Sequence, residues 1–312
     1  MLSKTDYILG MDCEKALWLI KHHPELMPDV DVMLQRRFDI GNEVQEYARK
    51  LFPSGQIIGD GDLEYVAHKT KQMAQEHSIL FEATAILPDK AFCRIDIMER
   101  EGDAWNLIEI KSATEVKDNY IDDLAFQKYV FENAGYKINR LKVIYLNKYY
   151  VRKGILDIRE LFVIEDVTLL VDEVYSDVGY NIDVLQQLIE QNEEPEVLLH
   201  KTNPCKGCGL KSYCQQKLPE YPAFRLFYYD RDWRKFYGQY NTYRIENIPD
   251  SYELRPKEII DKQSYLTGKT HIEPEKIQNW LDTLEYPLYY LDYETVQLAI
   301  PLFDNSKPYA QT

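Results

Sequence analysis

The spacing of apolar residues changes along the chain and divides it into segments of different secondary structure. In residues 3–20 the apolar positions recur at helical spacing after Ser3, a residue type that caps helix N-termini. A second helical pattern covers residues 31–52 and ends at Pro53, a typical helix stop. The sequence therefore predicts a helical N-terminal part that extends to about residue 54.

From residue 78 the period changes, and three apolar runs predict strands. The runs are ILFEATAIL, AFCRIDIMER and AWNLIEIKSA, and the short turns between them predict a β-meander. The next segment, IDDLAFQKYVFENAG, has helical spacing and ends on a glycine, and the β-branched run LKVIYL is typical of a strand. The predicted order is αβββαβ, which gives a mixed α/β core with a mixed sheet.

The remainder of the chain has three further patterns. An acidic helical pattern, VLQQLIEQNEEPEV, precedes a cluster of cysteines, and a tyrosine-rich, partly basic stretch follows it. A polar helical segment then extends to about residue 283, and the apolar run PLYYLDYETVQLAIPLF predicts a strand that begins another unit. We therefore predict three parts, which are residues 1–216, 217–283 and 284–312.

Composition and charge limit the classes of function. The chain has 312 residues, 45% of them hydrophobic, which suffices for two or three cores. No apolar run is long enough to cross a bilayer and no signal-peptide pattern is present, so we expect a soluble cytoplasmic protein with no membrane partner. The net charge of −15 disfavours tight, indiscriminate binding to duplex DNA. It does not exclude a nuclease, because a carboxylate metal site is itself acidic.

Three charged residues interrupt the apolar strand runs. Asp96 lies in the second run, and Glu109 and Lys111 lie in the third, where alternation puts both on one face. If the short turn pairs these strands, Asp96 converges on the same place. The set then offers two hard oxygen ligands for Mg²⁺ or Mn²⁺ beside an ammonium group, which suits phosphodiester hydrolysis. Taken alone, E-x-K is equally explained by an ordinary charge pair on a strand.

These residues, within an αβββαβ order, resemble the active site of the PD-(D/E)XK nuclease superfamily, particularly its RecB-like branch. The resemblance implies a restriction-endonuclease-like core in which Asp96 and Glu109 bind the metal ion. It further implies that the carbonyl of Ile110 is another ligand and that Lys111 is the catalytic lysine. Glu82, in the first strand run, is either a supporting acid or one partner of a salt bridge.

Two helical motifs of this branch are matched in part. Gln127 falls where the family has its catalytic helical glutamine, but the tyrosine four residues later is Phe131 here. On the early helix, the branch often has a metal-binding histidine where this chain has Gln45. We predict that Glu46 replaces it as a metal ligand, and Glu43 is the other acid available.

Three of the five cysteines form the pattern C-x2-C-x5-C, and they are Cys205, Cys208 and Cys214. In a reducing compartment such close spacing points to metal, and from the spacing alone zinc and iron are about equally expected. Cys13 is the leading candidate for a fourth ligand, with His22 or His23 as alternatives. Cys93 lies inside a strand run and is interpreted as a small buried hydrophobic residue.

An N-terminal cysteine and a C-terminal C-x2-C-x5-C that bracket a RecB-like core resemble known iron-sulfur nucleases. These are the CRISPR-associated RecB-like exonucleases and the AddAB helicase-nuclease. The resemblance implies a 4Fe-4S cluster that staples the ends of the nuclease domain together, with zinc as the alternative. The implied ligands are Cys13, Cys205, Cys208 and Cys214.

Two patterns nearer the C-terminus have two interpretations each. In residues 224–244, basic residues alternate with aromatic ones, which suits stacking of single-stranded bases, but we favour helix packing as the cause. Asp292 and Glu294 form a D-x-E motif that resembles the first motif of DnaQ-like 3′-5′ exonucleases, whose fold is RNase H-like. We expect an incomplete domain there, and the two acids are a candidate second exonuclease site to which we assign no activity.

Together these motifs predict a metal-dependent nuclease that cuts DNA from single-stranded ends, in repair, recombination or defence. The competing prediction is a noncatalytic nucleic-acid-binding or scaffold protein that keeps the fold and the cluster. The partly matched helical motifs favour the second, whereas the intact Asp96, Glu109 and Lys111 favour the first.

Overall fold

The computed structural model describes residues 1–200, 205–227 and 233–311, which form six strands and twelve α-helices. The strands are β1 (Gln56–Ile57), β2 (Ile79–Leu87), β3 (Ala91–Glu101), β4 (Ala104–Ile110), β5 (Ile138–Leu146) and β6 (Phe162–Asp166). The helices are α1 (Lys4–Asp12), α2 (Glu14–His22), α3 (Val32–Arg49), α4 (Leu63–Glu76), α5 (Asp118–Asn133), α6 (Ile158–Leu161), α7 (Thr168–Tyr175), α8 (Val178–Glu190), α9 (Lys211–Gln215), α10 (Trp233–Tyr240), α11 (Pro256–Thr267) and α12 (Pro274–Leu281). None of them is long and apolar enough to span a bilayer.

The six strands form one mixed sheet in the order β1-β2-β3-β4-β5-β6. β2, β3 and β4 are antiparallel neighbours and form the predicted meander. β4 and β5 are parallel and are joined through α5, because a parallel pair needs a crossover connection. The remaining pairs are β1 with β2, which is parallel, and β5 with β6, which is antiparallel. The predicted αβββαβ order and the mixed sheet are confirmed.

Within the described residues the chain divides into two compact units. The first unit contains Met1–Pro24, Asp29–Pro195 and Thr295–Thr312, and the second contains Glu25–Pro28 and Glu196–Glu294. The three clustered cysteines belong to the second unit, and the predicted boundary at residue 216 lies within that unit. The last residues of the chain return to the first unit.

Apolar side chains cover both faces of the sheet in the first unit. On one face α5 buries Phe126 and Phe131 completely in the largest apolar cluster. On the other face Val44 of α3 packs in a cluster with Ile108 of β4 and with Ile300. Full burial of a side chain such as phenylalanine contributes about 1.5–3 kcal/mol. The two phenylalanines therefore hold α5 firmly beside β4.

The N-terminal segment forms two helices where the apolar spacing predicted one. Ser3 caps α1, because its hydroxyl accepts the N–H of Asp6 and the carboxylate of Asp6 accepts the N–H of Ser3 at 2.9 Å. α1 ends at Asp12, and the extended backbone of the following residue, Cys13 (φ −160°, ψ 104°), separates α1 from α2. The apolar positions continue across this break, so their spacing gave no sign of it.

The aromatic stretch forms the core of the second unit. Phe224, Phe227, Trp233 and Phe236 are all buried there. The ring centroids of Phe227 and Phe236 are 4.8 Å apart, and those of Trp233 and Phe236 are 5.4 Å apart. These rings therefore pack against each other, in agreement with the interpretation that we favoured. Residues 228–232, with Arg231 among them, lie outside the described part of the chain.

The strand predicted in residues 287–303 is absent. Tyr289 and Tyr290 are each 90% exposed, and no described strand pairs with this run. An apolar run needs a neighbouring strand to satisfy its backbone groups, so without one it does not form a strand. The RNase H-like start expected here stays a prediction, without the strand that would begin it. Ala299 and Ile300 instead pack against the sheet of the first unit.

Candidate functional site

The strand register brings the two predicted metal ligands together. Ile97 of β3 pairs with Ile108 of β4, so the antiparallel register continues to Asp96 opposite Glu109. At that point Oδ2 of Asp96 accepts the N–H of Ile110 at 2.7 Å. This bond ties the Asp96 carboxylate to the strand that carries Glu109, and the two acids lie side by side.

Glu109 is the centre of a hydrogen-bonded cluster and is only 2% exposed. Its Oε1 accepts hydrogen bonds from Nζ of Lys4 at 2.7 Å and of Lys111 at 2.9 Å, and its Oε2 accepts one from Nε2 of Gln127 at 3.0 Å. Burial alone would raise the pKa of Glu109, but the ammonium groups of Lys111 and Lys4 outweigh it and lower that pKa to about 2. Glu109 is therefore ionised at neutral pH.

Helix α5 contributes a third acid, Asp123, which the sequence analysis did not single out. Asp123 is 4% exposed. Its Oδ2 accepts a hydrogen bond from Lys111 at 2.7 Å, and its Oδ1 accepts one from Gln127 at 2.8 Å. Asp123 precedes Gln127 by four residues and so lies on the same face of the helix. That spacing was the available signal, because it placed an acid one turn before a glutamine already selected.

Helix α3 brings a glutamine to the site in place of the predicted glutamate. Nε2 of Gln45 donates to Oδ1 of Asp96 at 2.9 Å and to Oε1 of Glu82 at 2.7 Å. The side chain of Glu46 is 77% exposed and pairs with a lysine one turn further along, and Glu43 is exposed as well. Consecutive helical residues point about 100° apart, so the turn that aims Gln45 at the sheet aims Glu46 away. The structure therefore places Gln45, and not Glu46, beside Asp96.

Glu82 has both a salt bridge and a place beside the site. Its carboxylate pairs with the guanidinium of Arg49 and accepts the amide of Gln45. Its φ of 60° is unusual for a residue in a strand, and the pairing of β2 with β3 skips this position, where Asp96 lies opposite. A non-glycine residue held in such a conformation costs on the order of 1–3 kcal/mol. The chain therefore carries local backbone strain next to Asp96.

Asp96 has a strongly raised pKa. Burial contributes most and repulsion from the Glu109 carboxylate adds to it, so the pKa of Asp96 rises from 3.8 to about 8 although Lys4 opposes the shift. In the folded protein without a metal ion, Asp96 therefore stays largely protonated at neutral pH. A bound cation would reverse this, because it favours the ionised form.

Replacing Asp96 with asparagine is expected to stabilise the protein in EDTA at pH 8.5, by on the order of 1–2 kcal/mol. The unfolded carboxyl ionises near pH 3.8 and the folded one near pH 8, so the stability of the wild type falls as the pH rises between these values. Asparagine does not ionise and still accepts the N–H of Ile110. Thermal unfolding at pH 5 and pH 8.5 measures the effect, and the gain should be larger at pH 8.5. A loss of stability at pH 8.5 would contradict the raised pKa.

The donors at this cluster suit a hard divalent cation. Asp96 and Glu109 supply carboxylate oxygens, the ligands that Mg²⁺ and Mn²⁺ prefer, and Asp123 adds negative charge beside Lys111. Oε1 of Gln127 is buried without a hydrogen-bond partner, so it is an acceptor suited to a metal-bound water. Lysine ammonium groups contact one carboxylate oxygen of Glu109 and one of Asp123, whereas Asp96 accepts from Gln45 and from the N–H of Ile110. In the part of the chain that the structure describes, no three His, Cys, Asp or Glu side chains are arranged to hold a metal ion.

The three clustered cysteines lie on one short segment of the second unit. Cys205 begins a 3₁₀ turn, the N–H of Cys208 donates to the carbonyl of Cys205 at 3.4 Å, and Cys214 lies in α9. The backbone N–H of His200 donates to Sγ of Cys205 at 3.4 Å. A sulfur that accepts an amide hydrogen bond is typical of metal-bound thiolates, whose charge such bonds stabilise.

The other cysteines and the neighbouring histidine have different surroundings. Cys13 is half-buried at the break between α1 and α2 in the first unit. The ring of His22 stacks on Trp18, with centroids 4.2 Å apart, and its Nε2 lies 2.7 Å from the carbonyl of Ile189. Cys93 is fully buried, and burial raises the pKa of its thiol, so it stays a neutral core residue.

The D-x-E pair near the C-terminus lies in the second unit. Asp292 and Glu294 are both exposed on a segment without a strand, and Asp292 accepts a hydrogen bond from the neighbouring N–H of Tyr293 at 2.9 Å. A metal site needs carboxylates that are oriented by their surroundings. The pair has no such support in the described residues.

Comparisons of this chain with known proteins give only low similarity. No protein-family model and no curated protein sequence matches this chain. The chain is similar to the crystal structure of SSO0001, with a TM-score of 0.38 and 13% identity, over 70% of this chain and 87% of that one. It is also similar to an alkaline exonuclease from Laribacter hongkongensis, with a TM-score of 0.25 and 13% identity, over 56% of this chain and 88% of that one. Both scores are too low to indicate a function for this chain.

Proposed function

We propose that the cluster around Glu109 is the active site of a metal-dependent nuclease that hydrolyses DNA, as an exonuclease on single-stranded ends. The observation that carries the proposal is the position of Lys111. Its ammonium lies 2.9 Å from Glu109 and 2.7 Å from Asp123, and Glu109 lies opposite Asp96 in the sheet. Carboxylates that bind Mg²⁺ or Mn²⁺ and a fixed cation that stabilises charge on the phosphate are groups that promote hydrolysis of a phosphodiester.

The acids would hold the metal ion. In this proposal Asp96 and Glu109 are ligands and the carbonyl of Ile110 is another, as the resemblance to PD-(D/E)XK nucleases implies. Gln45 is our proposed replacement for the histidine of that family, because the oxygen of its side-chain amide is a suitable ligand for a hard cation. A bound divalent ion supplies a water of lowered pKa and neutralises charge on the phosphate.

Lys111 would act on the water or the phosphate. Asp123 holds its ammonium, and the ring of Tyr120 lies 5.0 Å from it, so its position is defined on two sides. Burial would lower the pKa of Lys111, but Glu109 and Asp123 raise it above its ordinary value. Lys111 is therefore a permanent cation that orients the attacking water or stabilises charge on the phosphate, and it does not act as a base.

Replacing Asp123 with asparagine is expected to lower the rate of DNA cleavage about 10- to 100-fold with little change in Mn²⁺ affinity. The substitution removes the negative charge that holds Lys111 but keeps a polar group beside Gln127. Cleavage rates of a labelled oligonucleotide at saturating Mn²⁺ measure the effect. Asp122→Asn is the matched control, because it makes the same change at the preceding and more exposed position of α5. Equal rates for the two variants would exclude a positioning role for Asp123.

The C-x2-C-x5-C segment is proposed to bind an iron-sulfur cluster of the 4Fe-4S type, with zinc as the alternative. The turn hydrogen bond between the backbones of Cys205 and Cys208 and the amide hydrogen bond to the Cys205 sulfur support a metal-thiolate role. The sequence resemblance assigns the fourth ligand position to Cys13. In this proposal the cluster is structural, because none of its cysteines belongs to the group of side chains around Glu109.

A further inference from the structure

A second lysine, Lys4, reaches the acids of the candidate active site. Its Nζ lies 2.7 Å from Oε1 of Glu109 and 3.7 Å from Oδ2 of Asp123. Lys4 and Lys111 therefore share one carboxylate oxygen. Sequence spacing gave no reason to select Lys4, since it precedes Glu109 by 105 residues.

The backbone of Lys4 is fixed on both sides. The N–H of Leu2 donates to the carbonyl of Lys90 at 2.8 Å, the N–H of Phe92 donates to the carbonyl of Leu2 at 2.9 Å, and the Leu2 side chain is fully buried. Ser3 then caps α1, of which Lys4 is the first residue. The fold thus anchors this lysine at the edge of the site and leaves only its side chain, which is 27% exposed, able to move.

The two lysines are held unequally. Lys111 has two partners within hydrogen-bond distance, at 2.9 and 2.7 Å, and its side chain is 20% exposed. Lys4 has one at 2.7 Å, and its distance of 3.7 Å to Asp123 is too long for a hydrogen bond. Moving Lys4 away from Glu109 therefore breaks fewer contacts than moving Lys111.

The lone pairs of Glu109 restrict how a cation can enter. A carboxylate oxygen has two lone pairs, and the two lysines take both of those on Oε1. Gln127 takes one on Oε2. A divalent ion a few ångströms from an ammonium group is also repelled by it, so a metal ion and both lysines cannot all share Glu109 at low cost.

We propose that Lys4 is the resident counter-ion of the metal site, which neutralises Glu109 when no metal is bound and leaves that carboxylate when Mg²⁺ or Mn²⁺ binds. This inference rests on the proposed function. Lys4 thereby lowers the affinity for metal and keeps the buried acids stable without it. Its long side chain remains beside the site after displacement, where the phosphate of a DNA strand offers an anionic partner.

The first test is the affinity for Mn²⁺, measured by isothermal titration calorimetry. Lys4→Met should bind Mn²⁺ about tenfold more tightly than the wild type, because the competing cation is gone. Lys4→Arg keeps the charge and should bind as the wild type does. Lys90→Met is the matched control, since Lys90 pairs with Asp183 at 2.6 Å away from the acids of the site, and it should leave the affinity unchanged.

The second test follows the ammonium group itself. In ¹⁵N-lysine NMR spectra of the wild type, the hydrogen-bonded ammonium of Lys4, assigned by its absence in Lys4→Met, should lose its signal on addition of Mg²⁺. The signal of Lys111 should remain. A Lys4 signal that persists at saturating Mg²⁺, or an unchanged Mn²⁺ affinity in Lys4→Met, would overturn the inference while the wild type still binds metal. If the wild type binds no metal and matches Asp96→Asn, the proposed nuclease site fails as well.

Discussion

Replacing Lys111 with alanine is expected to reduce Mn²⁺-dependent cleavage of DNA by on the order of 10³-fold, with Mn²⁺ binding retained. Among the residues that the structure describes, Lys111 supplies the only cation that contacts both Glu109 and Asp123 at hydrogen-bond distance. Its loss therefore leaves the water and the phosphate without a fixed positive charge. Rates of single-turnover cleavage and a Mn²⁺ titration of the same preparation separate the two effects.

Lys128→Ala is the control for this substitution. Lys128 lies in α5, and its ammonium pairs with Asp172 at 2.7 Å, so the same change removes a salt bridge of the first unit without touching the acids around Glu109. Cleavage by Lys128→Ala should equal that of the wild type. If Lys111→Ala also cleaves at the wild-type rate, the activity comes from another site or from a contaminating nuclease.

Replacing Cys208 with serine is expected to remove nearly all bound iron. It should also remove the broad absorbance at about 400 nm that thiolate-bound iron gives. Serine offers no thiolate, and one lost ligand of four is enough to make a cluster labile. Metal analysis and absorption spectra of anaerobically purified protein measure both losses.

Cys93→Ala is the matched control for the cluster, because Cys93 is fully buried inside β3 and its neutral thiol packs among apolar residues. This variant should keep its iron and its absorbance. A colourless wild type with stoichiometric zinc would show that the cysteines bind zinc, and it would leave the account of the Glu109 cluster unaffected.

The meander and its helix were predictable because their patterns are local. The alternation in β2 and β3, and the helical spacing of α5, reflect burial against one sheet, so each element could be recognised from its own residues. The break at Cys13 was not predictable, since apolar spacing continues through it. The strand predicted in the run that contains Asp292 is absent for a different reason. An apolar, aromatic segment becomes a strand only when another strand pairs with it.

The site was predictable only where its residues are close in sequence. Glu109 and Lys111 belong to one strand, and a short turn joins that strand to Asp96, so alternation was enough to bring the three together. Lys4 could not be found in this way, because its place depends on how α1 packs against the sheet. Asp123 had a local signal in its spacing from Gln127.

The exposed position of Glu46 shows which signal was overlooked. Val44 and Ala48 are fully buried and four residues apart, so they fix the face of α3 that lies against the sheet. Position 45 is adjacent to that face, whereas position 46 is on the opposite side of the helix. We selected Glu46 because acids are preferred metal ligands. The direction in which the helix presents its side chains instead places Gln45 beside Asp96.

The measurement that tests the central claim most directly is digestion of end-labelled single-stranded and duplex DNA by the wild type and Asp96→Asn, with Mg²⁺, with Mn²⁺ and with EDTA. The account predicts that the wild type shortens single strands from an end when a divalent ion is present. EDTA and Asp96→Asn should each abolish this reaction. Cleavage that survives in Asp96→Asn or in EDTA would contradict a metal-dependent site at Glu109. A wild type that binds DNA and Mn²⁺ but does not cut would contradict the nuclease assignment and favour a binding or scaffold protein.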